Sequence, residues 1–185
     1  MKSTTRPYSL FALLAFAVLG SPLVHAETPA PTAATVQVIR NGNFADLTDG
    51  WFLEQHATAL GDLSVADDGP EGAKAAKIEL LEPSTEFWHL SFMQKGVKLR
   101  GDKRYRISFM AKADQPRWIA VSLGQHLEPY KVLAANTSIE IGTAWSRVSI
   151  MLRPTADEEN GRFSIGNLGK TVGSLWVTNI SAIEE

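Results

Sequence analysis

The chain of 185 residues predicts an all-β fold, two antiparallel sheets packed as a sandwich, on three observations. Short runs rich in β-branched and aromatic residues alternate with clusters of Gly, Pro, Asn and Asp. Within the runs apolar and polar side chains alternate with period two, which leaves one face dry and one wet. No segment sustains a helical period, and no internal repeat is visible.

The first 26 residues stand apart from that pattern. Lys2 and Arg6 precede an uncharged apolar run from Leu10 to Leu19, followed by Gly20, Ser21, Pro22 and the small-residue end Val24-His25-Ala26. These three regions read as a secretory signal peptide cleaved after Ala26. The apolar run is too short for a membrane span. Residues 27–35, with two Pro and no large apolar side chain, read as a flexible leader. The domain proper is expected over residues 36–185, in the periplasm or outside the cell, with no catalytic domain following it.

The clearest strand is Tyr105–Lys112, with Tyr105, Ile107, Phe109 and Ala111 facing one way and Arg106, Ser108, Met110 and Lys112 the other. Trp88, Leu90 and Phe92 alternate likewise with His89, Ser91 and Met93. Ile119, Val121 and Leu123 alternate with Trp118, Ala120 and Ser122, and Val148, Ile150 and Leu152 with Arg147, Ser149 and Met151. Further strands are expected at 36–40, 51–56, 75–81, 130–134, 137–141, 162–165 and 175–181.

Composition removes several classes of function. The chain carries a net charge of −2, or −4 once Lys2 and Arg6 have left, without the basic footprint of a nucleic-acid binder. The absence of Cys excludes disulfides, a thiol nucleophile and a thiolate metal site. His56, His89 and His126 share no ligand spacing, so no metal and no cofactor is expected. No G-x-S-x-G elbow is present. The carboxylates at 67, 68, 71, 82, 86 and 157–159 read as solvated loop charges rather than a glycosidase pair. No enzymatic activity is expected.

Aromatic residues carry more information. Trp51, Trp145 and Trp176 read as core, as does Trp88 from its phase with Leu90 and Phe92. Trp118 runs out of phase with its apolar neighbours and is expected on the outer face. An exposed indole on a concave sheet suits a sugar, whose C–H face stacks on the ring while planar polar groups bond its hydroxyls. Trp118 for stacking, with His89, Arg106, Gln125, His126 and Tyr130 for hydrogen bonding, form the candidate site. The alternative is an envelope protein-interaction or structural module, suggested by Met93, Met110 and Met151 on wet faces.

Six ordered landmarks bear on that choice. They are Ile39-Arg40-Asn41-Gly42-Asn43-Phe44 with Gly50-Trp51, then Trp88–Gln94 with Val97-Lys98-Leu99, Lys103–Ala113, Trp145, Arg162–Gly169 and Leu175–Ser181. Together they resemble the carbohydrate-binding modules of the family 4 and family 9 type. The resemblance implies a jelly-roll, galactose-binding-like sandwich, a non-catalytic role, and a polysaccharide or oligosaccharide held in a cleft on one sheet. It implies as partner a glycoside hydrolase, here on a separate chain. The family's opening Glu and closing Asp, which help hold a structural calcium, correspond to Ala45 and Thr178, so calcium is not expected. Ser91 stands where glucan-binding members often carry Gln, and Gln94 matches a family Gln in phase with the core.

Overall fold

The computed structural model describes residues 35–185; the expected signal peptide and, apart from Thr35, the expected leader lie outside the described residues. Ten strands follow in order: β1 Trp51–Gln55, β2 Leu60–Ala66, β3 Ala75–Glu82, β4 Leu90–Leu99, β5 Tyr105–Ala113, β6 Arg117–Gln125, β7 Val132–Ile141, β8 Ser146–Leu152, β9 Glu158–Gly166 and β10 Gly173–Glu184. Two single turns of 3₁₀ helix, Pro70–Gly72 and Phe87–His89, interrupt them.

The strands form two antiparallel five-stranded sheets, the jelly-roll sandwich that the sequence predicts. The front sheet has the order β1-β4-β9-β6-β7 and the back sheet β2-β3-β10-β5-β8. The predicted alternation holds along β4, β5, β6 and β8: Leu90, Phe92, Ile107, Phe109, Ile119, Val121, Leu123 and Val148 are buried between the sheets. Each such side chain contributes about 1.5–3 kcal/mol by leaving water, so the inner faces dominate the stability of a chain without cysteine.

The opening landmark forms a knot over one end of this core. Asn41 Nδ2 donates to the carbonyls of Leu47 and Asp49, both at 3.0 Å, and its Oδ1 accepts from the Asp46 amide at 3.1 Å. Phe44, at φ 57°, is thereby turned fully into the core against Trp51, ring centroids 5.7 Å apart. Trp51 stacks on Phe92 at 4.6 Å and donates its indole N–H to the Asn41 carbonyl. Gly42 is required because a Cβ there would lie 1.9 Å from the Ile180 carbonyl oxygen. Gln94 clamps the same segment: its Oε1 accepts from the Arg40 amide at 2.9 Å and its Nε2 donates to the Arg40 carbonyl at 2.8 Å.

Several expectations are corrected. Residues 36–40 form only a bridge, Gln37 to Ile183, because Gln37 spends its side chain on the Ala182 amide. The runs 130–134 and 137–141 are one strand, β7, carried through its centre by irregular pairing with β6. Strand β2 was absent from the sequence expectation. Trp145 and Trp176 are half-buried rather than core, lying on the outer face of the back sheet where Lys112 Nζ sits 5.2 and 4.9 Å from their rings.

Candidate functional site

The outer face of the front sheet is hollowed by small side chains. One row crosses neighbouring strands from Glu54 to Ser91, and on through Gly166 to Ala120. The next runs Phe52, Met93, Ser164, Ser122 and Ala135. Strands spaced about 4.8 Å apart make a floor of about 19 Å across five strands. Its short side chains leave a shallow cavity of about 280 Å³ over Ser91, Met93, Ala120, Ser122, Ser164 and Gly166.

Aromatic walls rise from this floor. The 3₁₀ turn Phe87–His89 ends the loop before β4, so Trp88 does not continue the alternation of that strand and instead projects outward, 50% exposed. Tyr130, 51% exposed, stands just before β7 with φ 56°. Trp88 and Tyr130 line one cavity of about 350 Å³ with Glu54, His56 and Arg162. Inside it Glu54 Oε2 lies 3.9 Å from Arg162 Nη1 and 3.6 Å from His56 Nε2. A third hollow of about 360 Å³ continues beyond Phe87 and Asn167 to Trp118, which is 57% exposed on β6.

This geometry suits one kind of chemistry. Exposed rings offer flat apolar faces, and a carboxylate paired with a guanidinium offers planar acceptors and donors without a net charge to bury. Among the described residues no group of three or more His, Asp or Glu is placed to hold a metal. At the position of the closing Asp, the Thr178 hydroxyl donates to the Lys74 carbonyl at 2.5 Å.

The candidate residues are only partly brought together. Trp118 and Tyr130 both stand on the outer side of the front sheet, but line different hollows. His89 is 8% exposed and lies behind Trp88, bonded through Nδ1 to Ser84 Oγ at 2.6 Å. Arg106 is corrected outright: β5 belongs to the back sheet, and the guanidinium pairs there with Glu185 at 2.5 Å. Gln125 turns to Glu158, Nε2 to Oε2 at 2.9 Å, and His126 packs edge-on to Phe52 at the far end of β6. Trp88, Glu54, His56 and Arg162 were missed as site residues. For Glu54 and Arg162 the signal was available, since both alternate out of phase with Leu53 and Phe163.

A two-sheet jelly roll with a hollow on one sheet is an architecture that sugar-binding modules share with proteins of other activities. The family model described as carbohydrate binding domain matches residues 36–167, and the chain belongs to that family, the family 4 and 9 type. A family 4 carbohydrate-binding module superposes with a TM-score of 0.67 at 26% identity, covering 80% of this chain and 99% of its own. The second N-terminal cellulose-binding domain of Cellulomonas fimi β-1,4-glucanase C gives 0.59 at 15% identity, covering 80% and 94%. A cyclase from Fischerella sp. gives 0.60 at 14% identity, covering 83% and 98%. The last two share the fold alone, which serves unlike activities. No curated protein sequence matches the chain.

Proposed function

We propose that the domain is a non-catalytic module that holds a polysaccharide chain in the front-sheet hollow. The carrying observation is the pair of half-exposed rings, Trp88 and Tyr130, lining one cavity with the Glu54–Arg162 pair. The rings stack on sugar faces, Glu54 accepts from hydroxyls, Arg162 donates to them, His56 donates or accepts, and Trp118 extends the track past Asn167. The small-residue floor admits the chain edge-on.

Residues 1–26 support export to the periplasm or beyond, where polysaccharides are met. The partner proposed there is a separate glycoside hydrolase, whose substrate this module would concentrate, or an envelope protein. The protein-interaction alternative draws on Met93, Met110 and Met151: Met93 is 3% exposed in the floor and Met110 half-buried, while Met151 is 45% exposed on the back sheet, away from the hollow.

The test is affinity electrophoresis of the protein through gels containing β-glucan, xylan, mannan or alginate. Retardation by at least one polymer is expected. Trp88→Ala and Tyr130→Ala should each weaken it at least ten-fold, about 1.4 kcal/mol. Free migration of the wild type in every gel, or retardation unchanged in both variants, would overturn the proposal.

A further inference from the structure

The charges bordering the front-sheet hollow are distributed unequally. Glu54 at its centre is countered by Arg162 and His56. Beyond the floor rows, on the side away from Trp88, lies a separate hollow of about 280 Å³ lined by Arg40, Lys95, Gly96, His126, Leu127 and Asn160. Lys95 follows Met93 on the outer face of β4, about 7 Å along the strand, and pairs across to Arg162 of the central cavity. The two hollows thus adjoin through neighbouring residues.

None of the ion pairs among the described residues includes Arg40 or Lys95. Of the acids on β9, Glu159 pairs with Lys98 and Arg100, while Glu158 accepts from the neutral Gln125 Nε2 and Asn160 amide. Lys95 Nζ is 5.7 Å from the Phe52 ring, which has His126 edge-on at 6.2 Å, so the ammonium stands over an apolar platform. At the opposite end Lys170, also free of ion pairs, lines the Trp118 hollow. Cations in no ion pair therefore stand at both ends of a track whose centre holds the paired Glu54 and Arg162. Such a pattern is complementary to a ligand that carries regularly spaced anions along an otherwise sugar-like body.

We propose that the ligand class is an acidic polysaccharide, a polyuronate, with one sugar carboxylate seated between Arg40 and Lys95 and the neighbouring rings on Tyr130 and Trp88. This rests on the reading of the front-sheet hollow as the polysaccharide site. Neutral glycans would use the aromatic track without the basic hollow.

The experiment is titration calorimetry of the full-length protein with a polymannuronate oligomer and with the same oligomer after carboxyl reduction, which removes the charge and keeps the sugar. Binding of the acidic form at least ten-fold tighter than the reduced form is expected, with the difference shrinking as salt rises. Lys95→Gln and Arg40→Gln should each weaken the acidic oligomer about five-fold and leave the reduced one unchanged. Equal affinity for the two forms, or no effect of either substitution, would overturn the acidic ligand class while leaving sugar binding intact. Equal binding to polyglutamate would overturn it as well, as attraction to any polyanion. Loss of binding to both oligomers only in Trp88→Ala is the result that separates the fate of the aromatic track from that of the basic hollow.

Discussion

The indole of Trp88 meets the imidazole of His89 edge-on, ring centroids 4.2 Å apart and planes at 82°, while the same imidazole is anchored to Ser84 at 2.6 Å. An exposed ring is thus braced from behind by a buried one. On the proposed reading of the hollow, His89 is a positioning residue that keeps Trp88 in one orientation and lowers the entropy lost when a sugar stacks on it. His89→Ala should weaken polysaccharide binding three- to ten-fold and broaden the Trp88 side-chain resonances, whereas Ser84→Ala should have a smaller effect on both. Unchanged indole resonances alongside weakened binding would argue against bracing.

Gln94 is 1% exposed and gives both ends of its amide to Arg40. Gln94→Ala leaves two main-chain groups without partners, at about 1–3 kcal/mol for each buried group. A loss of about 2–4 kcal/mol in urea unfolding is expected. Gln94→Glu restores the acceptor but not the donor, and should recover less than half of that loss.

Gly42→Ala forces a methyl group against the Ile180 carbonyl, itself part of the segment whose Ile180 amide bonds the Gly42 carbonyl at 2.9 Å. Neither main chain is free to withdraw, so destabilisation of at least about 2 kcal/mol is expected. Gly142→Ala, where a Cβ meets nothing within 4 Å, is the control and should change the melting temperature by no more than a degree or two.

Acid should loosen the turn between β4 and β5. Asp157 accepts from the Gly101 amide at 2.8 Å and from Arg100, which holds its carboxyl below the ordinary 3.8. A depressed folded-state value means the contribution is complete above 3.8 and disappears as pH falls through the lower folded value. Glu158 behaves likewise below its ordinary 4.5, held by the Asn160 amide and Gln125. Asp157→Asn should therefore lower the melting temperature at pH 7 and converge with the wild type near pH 2. Parallel curves over that range would contradict the assignment.

Where period-two alternation is strong, as along Tyr105–Ala113, sequence and structure agree residue by residue. The pattern fails where a local turn breaks phase. Trp88 keeps the spacing of Leu90 and Phe92 yet leaves the strand at the 3₁₀ turn, and a core reading becomes a groove wall. Strand β2 escaped because Gly61, Asp62 and Ser64 make it look like the loops around it, while only Leu63 and Val65 turn inward. Arg106 shows a different limit. Alternation tells which side of its own sheet a residue faces, but assigning a strand to the front or back sheet depends on pairings far apart in sequence, here β5 with β8 and β10. Trp176 and Trp145 show a third, since a Lys stem laid over an indole half-buries it without any core.

The bridge between Gln37 and Ile183 has a mechanical meaning. Val38 donates to the Ala182 carbonyl and Glu184 to the Val36 carbonyl, so the two extremities of the sandwich run antiparallel, side by side, and leave it in the same direction. Tension applied through residues 36 and 185 would part these bonds one after another, like a zip, instead of shearing them together. The sandwich is accordingly built to yield first at its seam, with the Gln94 clamp on Arg40 as the next point of resistance.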